Sequence, residues 1–261
     1  MTTVGLLHPG AMGAVLGDQL RLAGCDVRWA SEGRGAATTA RAEAAGLHDA
    51  GTLEALVGAS DVVLSVCPPA AAEDVARRVA AAGFTGTFVD GNAVAPATAR
   101  RIADLVAPAR AVDGGIVGPP PLRPGTTRLH LSGDGAEEVA DLFVGTTVEA
   151  RVHPGGPGAA SAVKVCFAAW TKGTSALLLA IRALAAAEGV EDGLLAEWAT
   201  SLPDLPARSD AAAGTAAKAW RFVGEMEESA AAFAAAGLPA GFSQAAAEVY
   251  AALAAHDDGR G

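Results

Sequence analysis

Short apolar runs alternate with helical stretches through the first half of the chain, and this alternation limits the possible folds more than any other feature. Segments rich in Ala, Arg and Glu, such as 70–82 and 96–107, separate the runs. Alternating strands and helices form doubly wound parallel sheets, and continuous apolar runs suit strands that are covered on both faces. We therefore predict an α/β fold with a Rossmann-type sheet. The predicted strands are 4–7, 26–30, 61–66, 87–90, 111–117, 128–132 and 146–150.

The pattern changes after a Gly/Pro-rich segment, HPGGPG, at residues 153–158. Helical patterns alone follow it, and they cover 159–188, 193–201, 211–235 with a break at Gly214, and 242–255. Gly and Pro between these segments mark their ends. We therefore predict a dinucleotide-binding Rossmann domain at residues 1–153 and an all-helical domain for substrate binding and dimerisation at 154–261. We expect the tail after His256 to be disordered.

Composition and charge exclude several classes of protein. The formal net charge of −10 disfavours a basic surface for nucleic acid or anionic lipid. No apolar run reaches the length of a membrane span, and the N-terminus lacks the pattern of a signal peptide. The three cysteines are scattered without metal-ligand spacing. We therefore expect a cytoplasmic protein without metal, nucleic acid or membrane partners, acting on a small-molecule substrate.

A glycine-rich turn near the N-terminus predicts a dinucleotide site. Residues 5–13 read GLLHPGAMG between a predicted strand and a predicted helix. Gly10 and Gly13 match the second and third glycines of the dinucleotide fingerprint, whereas His8 replaces the first. Glycine lets the backbone approach the diphosphate, and the helix N-terminus offers N–H groups to it. The predicted cofactor-binding residues of this turn are His8, Pro9, Gly10, Ala11, Met12 and Gly13.

The end of the second predicted strand selects the cofactor. Ser31 and Arg34, with Thr38 behind them, suit a 2′-phosphate, because Arg binds phosphate oxygens in a fork. Glu32 is the acid that an NAD site would use. These residues favour NADP, with NAD as the alternative.

A second group of cofactor residues follows the predicted strand 61–66. Residues just beyond the carboxyl end of a strand face the ligand crevice. Val66, Cys67 and Pro68 are therefore expected to flank the nicotinamide.

Four segments together resemble the 3-hydroxyisobutyrate and 6-phosphogluconate dehydrogenase superfamily, the β-hydroxyacid dehydrogenases. The closest likeness is to a branch of NAD(P)-dependent oxidoreductases with a C-terminal helical domain like that of phosphogluconate dehydrogenase. Three positions depart from the family pattern: Asn92 and Val117 replace serines, and Ala168 replaces an asparagine. The substrate therefore need not be a simple hydroxy acid. The four segments are HPGAMG at 8–13, DGNAVAP at 90–96, DGGIVGPPP at 113–121 and GGPGAASAVK at 155–164.

Lys164 is the catalytic candidate, and the resemblance implies the same role for it. A Lys in a cleft loses hydration, which favours its neutral form and lets it exchange a proton with a substrate alcohol or carbonyl. Asn92 is assigned to both substrate and cofactor because its amide both donates and accepts. The remaining predicted substrate contacts are the backbone of Gly114, Gly115 and Gly118, and the distal cation Lys172.

Three functions are weighed. The first is an NADP-dependent oxidoreductase that acts on an alcohol/carbonyl pair with an anionic group. The second is an imine reductase, a class that usually lacks a Lys at the position of Lys164. The third is a dinucleotide-binding regulator without turnover. The Ala-rich helices and the resemblance both predict a homodimer joined through the helical domain.

Overall fold

The computed structural model describes residues 1–214 and 219–258, with the backbone alone at 256–258. The chain divides into two compact units, Met1–Lys164 and Val165–Gly261. The first unit therefore includes the start of a helix that the sequence assigns to the second domain.

The first unit contains one eight-stranded sheet in the order β3-β2-β1-β4-β5-β6-β7-β8. Neighbouring strands are parallel except β6 and β7, which are antiparallel because the loop 118–126 reverses the chain without a crossover helix. The predicted α/β fold is confirmed, with this one antiparallel pair and the short strand β3 as additions. The strands are β1 (Thr3–Leu6), β2 (Asp26–Trp29), β3 (His48–Asp49), β4 (Val62–Ser65), β5 (Thr87–Asp90), β6 (Arg110–Val117), β7 (Thr127–Ser132) and β8 (Val148–Val152).

Helices cover both faces of this sheet, as continuous apolar strands require. Val63 and Leu64 are neighbours in β4, so their side chains point to opposite faces. Each belongs to a different buried apolar cluster, and the two clusters form the core of the unit. The helices of the unit are α1 (Ala11–Leu22), α2 (Ala36–Ala44), α3 (Leu53–Gly58), α4 (Ala72–Ala81), α5 (Pro96–Val106) and α6 (Ala136–Asp141).

The second unit is helical throughout its described residues. The long helix α7 (Ala159–Ala187) begins in the first unit and continues into the second. It is followed by α8 (Glu191–Ser201), α9 (Leu205–Ala213), α10 (Ala219–Ala235) and α11 (Gly241–Asp258). Of these, α9 is predicted only at its end, residues 211–213, and the predicted break at Gly214 lies where this helix ends. Helix α11 extends two residues into the tail expected to be disordered. Residues 215–218 of the predicted helix 211–235, and 259–261 of the tail, lie outside the described residues. No helix in the described part of the chain is long and apolar enough to cross a membrane.

A largely buried ion pair and a tyrosine hydrogen bond join three helices of the second unit. The Nζ atom of Lys172 in α7 lies 3.1 Å from Oε2 of Glu225 in α10. The same ammonium lies 5.2 Å from the ring centroid of Phe222, a cation–π contact. The hydroxyl of Tyr250 in α11 donates to the Lys172 carbonyl at 2.8 Å. Burial, followed by the charge of Glu225, raises the pKa of Tyr250 to about 12, so its hydroxyl keeps the proton that it donates.

Loss of this ion pair is expected to destabilise the helical unit. Lys172→Met should lower the free energy of unfolding by about 2–3 kcal/mol, because the Glu225 carboxylate stays largely buried without its cation. Lys172→Met/Glu225→Leu should recover most of that loss, as measured by urea denaturation. The matched control is Arg151→Met, because Arg151 and its partner Glu149 are both about half exposed. It should cost less than about 0.5 kcal/mol. Equal costs for the two single variants would contradict the assignment.

Candidate active site

The predicted dinucleotide turn lies at the carboxyl edge of the sheet, where the chain leaves β1. Strand β1 lies between β2 and β4, so the strand order reverses direction at this point. The ligand crevice of open parallel sheets forms at such a switch point. The backbone N–H of Leu7 donates to the Leu64 carbonyl at 3.1 Å and continues the pairing with β4 beyond the strand. The turn therefore begins from a fixed strand end.

Gly13 and Gly10 have different structural roles in the turn. A Cβ at Gly13 would lie 2.2 Å from the His8 carbonyl oxygen, so α1 packs this closely only with glycine there. At Gly10, by contrast, no described atom lies within 4 Å of an added Cβ. Gly10 precedes α1, and no side chain in the described part of the chain caps that helix. The turn thus leaves open space in front of backbone N–H groups, as a diphosphate requires.

Three cationic or basic side chains line a cleft beside this turn. His8 follows β1, Arg34 follows β2, and Arg78 comes from α4. Burial, then the charges of Arg34 and Arg78, lowers the pKa of His8 to about 4, so His8 is neutral at pH 7. Burial, then Arg78, also lowers the pKa of Arg34. With His8 neutral, the cleft therefore holds two guanidinium groups against one carboxylate, that of Glu32.

Two buried nitrogen atoms of this cleft have no hydrogen-bond partner among the described residues. They are Nδ1 of His8 and Nε of Arg34. One other guanidinium nitrogen of Arg34 donates to the Leu7 carbonyl at 3.1 Å, which fixes the side chain in place. Buried polar groups are nearly always satisfied, so these atoms suit a polar ligand.

The other predicted 2′-phosphate residues are engaged within the protein. Two hydrogen bonds lower the pKa of the Asp49 carboxyl: the larger effect comes from the Gly51 N–H, and the second comes from the Ser31 hydroxyl. The Thr38 hydroxyl accepts from Arg41 at 3.1 Å. Glu32 is exposed and lines the same cleft as Arg34. Sequence reasoning missed Arg78, because an Arg in the amphipathic segment 70–82 has the pattern of a solvated residue.

Asn92 links the carboxyl ends of β4 and β5. Its Oδ1 accepts from the Cys67 backbone N–H at 2.5 Å, while Nδ2 donates to Ser65 Oγ at 3.2 Å and to the Asp90 carboxylate. Asn92 is buried, and each polar atom of its amide has a protein partner. The structure therefore gives Asn92 a role in fixing the two strand ends beside the crevice.

The predicted nicotinamide neighbours follow β4 at the same edge. Cys67 packs on one apolar cluster and Val66 on the other, while Pro68 is exposed. Burial is the main cause that raises the pKa of the Cys67 thiol to about 11. At neutral pH this thiol is protonated, which makes it a packing residue rather than a nucleophile.

Lys164 lies where α7 crosses β6. A Cβ at Gly115 would lie 2.9 Å from the Lys164 Cβ and 3.0 Å from the Ala160 carbonyl oxygen. Glycine at 115 therefore lets the helix lie directly on the strand. Gly114 makes a similar close approach to the Asp90 carbonyl, and Gly118 has φ +119° and faces the Thr126 carbonyl. The backbones of Gly114 and Gly115 also pair with β7. Besides their predicted role as substrate contacts, both residues therefore contribute to the packing of the sheet.

Asp113 and Ser132 hold the start of α7. The sequence pattern gives Asp113 only a place as the first residue of the segment 113–121, without a role, and gives Ser132 no role. Asp113 Oδ2 accepts from the backbone N–H groups of Gly158 at 2.8 Å and Ser161 at 2.9 Å, and from Ser132 Oγ at 3.2 Å. Asp113 Oδ1 accepts from Ser161 Oγ at 2.5 Å. Ser132 Oγ accepts from the Ala160 N–H at 3.0 Å. The spacing from Asp113 to Gly158 is too long for a local capping motif to reveal it.

Lys172 lies in the second unit, where Glu225 engages its ammonium as described above. The structure therefore places one predicted substrate cation in a helix–helix ion pair. The residues that it brings to the carboxyl edge of the first unit are the glycine turn, Arg34, residues 66–68, Asn92 and Lys164.

Comparisons with known proteins agree with this architecture. Residues 185–253 match a family model described as a domain of unknown function, DUF1932. A comparison with curated protein sequences found no match. One similar solved structure is a conserved protein of unknown function, described as structurally similar to 3-hydroxyacid dehydrogenases. It is 27% identical over 96% of both chains, with a TM-score of 0.73.

Two further solved structures share the fold at lower identity. The 3-hydroxyisobutyrate dehydrogenase of Mycobacterium tuberculosis is 23% identical over 98% of this chain and 94% of its own, with a TM-score of 0.71. The reductive aminase of Aspergillus terreus, solved with NADPH, is 22% identical over 100% and 96%, with a TM-score of 0.60. These likenesses confirm the fold.

The two glycines of the turn predict opposite results on alanine substitution. Gly13→Ala should lower the free energy of unfolding by about 3 kcal/mol, because the new Cβ meets a backbone oxygen that is fixed in the turn. Gly10→Ala is the matched control and should cost less than about 1 kcal/mol, since its Cβ enters open space. Urea denaturation of both variants measures the difference. A larger loss for Gly10→Ala would mean that the turn is closed in solution.

Proposed function

We propose that this protein is an NADP-dependent oxidoreductase that acts on an alcohol/carbonyl pair in a substrate with an anionic group. One observation carries the proposal: the open glycine turn at Gly10 and the Lys164 helix lie at the same carboxyl edge of one sheet. Strands β1 and β6 are three positions apart, so about 14 Å separates the turn from the strand beneath Lys164 at about 4.8 Å per strand. A dinucleotide that extends along this edge spans such a distance.

The residues of the turn fit a dinucleotide. The N–H groups at the start of α1 would bind the diphosphate, and Gly10 leaves the space that it needs. Asn92 fixes the backbone at Cys67, so the carboxyl ends of β4 and β5 offer a rigid floor for the nicotinamide end. A bound nicotinamide would supply or accept the hydride of the reaction.

The cationic cleft supports NADP over NAD. Arg34 and Arg78 both line it, and their mutual repulsion would be relieved by a dianionic 2′-phosphate. The unsatisfied Nε of Arg34 offers a donor for one phosphate oxygen. Glu32 is exposed at the rim of the cleft, where it suits ribose hydroxyls less well than a side chain fixed in place.

Lys164 would move the proton. In the reductive direction its ammonium donates to the developing substrate alkoxide, and in the oxidative direction its amine takes the proton of the alcohol. The close contact at Gly115 fixes the height of Lys164 above β6. A substrate carbonyl between Lys164 and the strand ends that Asn92 fixes would lie close to both the proton donor and the nicotinamide.

A homodimer through the helical unit is part of the proposal. On α7, residues 167, 170, 174, 177, 181 and 184 follow the alternating three- and four-residue spacing of a coiled-coil seam. Four large apolar side chains of this seam are exposed: Phe167, Trp170, Leu177 and Leu184. Along the seam, α7 and α11 line an apolar groove of about 710 Å³, with Phe242 84% exposed at its edge. A second copy supplies a matching seam and covers the groove.

Removal of the Lys164 amine should abolish turnover without loss of cofactor binding. NADPH consumption is measured first on a panel of oxo acids, uncharged ketones and cyclic imines. Lys164→Ala should then lower kcat on the best carbonyl substrate by about 10²- to 10⁴-fold, the usual contribution of a positioned proton donor. The Kd for NADPH should stay within about twofold of the wild-type value. Full turnover in the variant would contradict the assignment, and turnover of imines alone would favour imine reduction.

Arg78 should discriminate between the two cofactors. Arg78→Gln is expected to weaken NADPH binding by about 10- to 100-fold, the worth of a hydrogen bond to a charged group, and to leave NADH binding within about twofold. Fluorescence titration with each cofactor measures this. The control is Arg77→Gln on the same helix, because Arg77 is 53% exposed and paired with Glu73. If Arg78→Gln lost equal affinity for NADPH and NADH, Arg78 would lie outside the 2′-phosphate site.

A charge on the seam should separate the dimer. Leu177→Glu is expected to sediment as a monomer at concentrations where the wild type is a dimer, since the carboxylate would be desolvated in the interface. The control is Leu22→Glu, an equally exposed leucine in the first unit, which should not change the sedimentation coefficient. A wild-type monomer at high concentration would overturn the proposal.

A further inference from the structure

The helix that carries Lys164 is attached to the sheet by a packing contact and by polar contacts. The packing contact is at Gly115, where the backbone of β6 meets Lys164 and Ala160. The polar contacts include those at Asp113, whose carboxylate accepts from Gly158 and Ser161. Asp113 and Gly115 alternate along β6, so they present the same face to the helix.

Asp113 acts as an N-terminal cap that comes from a distant strand. It accepts from the backbone N–H groups of Gly158 and Ser161 at the start of α7, and also from the hydroxyls of Ser132 and Ser161. An ionised carboxylate only accepts hydrogen bonds, and these four donors match its two oxygens. The negative charge also lies at the positive end of the helix dipole. With Asp113 2% exposed, water does not compete for these bonds.

The register of these contacts links the cap to Lys164. Ser161, which binds Asp113, and Lys164, which lies over Gly115, are three residues apart and therefore lie on the same side of α7. The helix thus follows β6 with one turn fixed at Asp113 and the next at Gly115. Packing on a glycine limits only the height of a helix above a strand. The hydrogen bonds to Asp113 also stop the helix from sliding along or rotating on β6.

We propose that Asp113, assisted by Ser132, is the positioning residue for Lys164. It sets the place of the Lys164 amine over the sheet without touching substrate or cofactor. This inference rests on the proposed function of Lys164. A displacement of about 1 Å in a reacting group lowers rates by about 100-fold, so a displaced helix start is expected to appear in kcat.

The test is Asp113→Asn, which keeps the shape of the side chain but replaces an acceptor with an NH₂ donor facing N–H groups. We expect kcat on the best carbonyl substrate to fall by about 10- to 100-fold. The Kd for NADPH and the KM for the substrate should stay within about twofold. The matched control is Asp26→Asn, a buried carboxylate bound to Arg28 and His48, which should keep the wild-type kcat. Unchanged kcat in a folded Asp113→Asn, or an equal loss of NADPH binding, would overturn the proposal.

Ser132→Ala provides a second test if Asp113→Asn does not fold. It removes the acceptor of the Ala160 N–H and one donor to Asp113, and should lower kcat by about 3- to 10-fold with unchanged KM. Wild-type kcat in this variant would also overturn the proposal.

Amide hydrogen exchange separates this inference from the proposed function. The amides of Gly158, Ala160 and Ser161 should exchange slowly in the wild type and at least about tenfold faster in Asp113→Asn. This readout does not depend on turnover. Faster exchange in Asp113→Asn, together with no activity on any substrate, would support the attachment of α7 at Asp113 and contradict the proposed oxidoreductase function. Unchanged exchange would refute the attachment even if Lys164→Ala is inactive.

Discussion

The hydrogen bonds between the Asp113 carboxylate and the start of α7 are the interaction on which the candidate site depends. They join the sixth strand of the sheet to the helix that carries Lys164. Without them, the helix would keep its packing contact at Gly115 and the hydrogen bond from the Ala160 N–H to Ser132. A buried charge is costly unless every lone pair finds a donor, and here the helix N-terminus and two serines provide those donors. The same atoms therefore satisfy the carboxylate and place the proposed proton donor.

The cofactor end of the site uses electrostatics in a different way. Arg34 and Arg78 share a cleft with His8, whose pKa burial and both cations lower to about 4. A neutral His beside two cations avoids a third charge, while the two guanidinium groups remain short of negative partners. Arg34 and Arg78 thus repel each other, and an anionic ligand in the cleft would reduce that repulsion. The glycine turn next to it adds oriented N–H groups, so both features select negative charge.

The fold was predictable because strand and helix signals are local. The apolar runs placed seven of the eight strands, and only β3, two exposed residues, escaped detection. The antiparallel pair β6–β7 was missed because apolar patterns carry no strand direction. The glycine turn and Lys164 could be recognised from motifs. The contacts of Asp113, Ser132 and Arg78 could not, since their partners lie far away in the sequence. The ion pair of Lys172 was not predicted either, because sequence alone does not show that Glu225, 53 residues later, faces it.

Helix α7 runs without interruption from its capped start to Ala187. Within the first unit, Ser161 binds Asp113 and Lys164 lies over Gly115. Each residue of an α-helix turns the chain by about 100°. Insertion or deletion of one residue between Ser161 and Lys164 would rotate Lys164 away from β6 by that angle while Ser161 keeps its bond to Asp113. The spacing of Ser161 and Lys164 is therefore under a stricter constraint than the identities of residues 162 and 163.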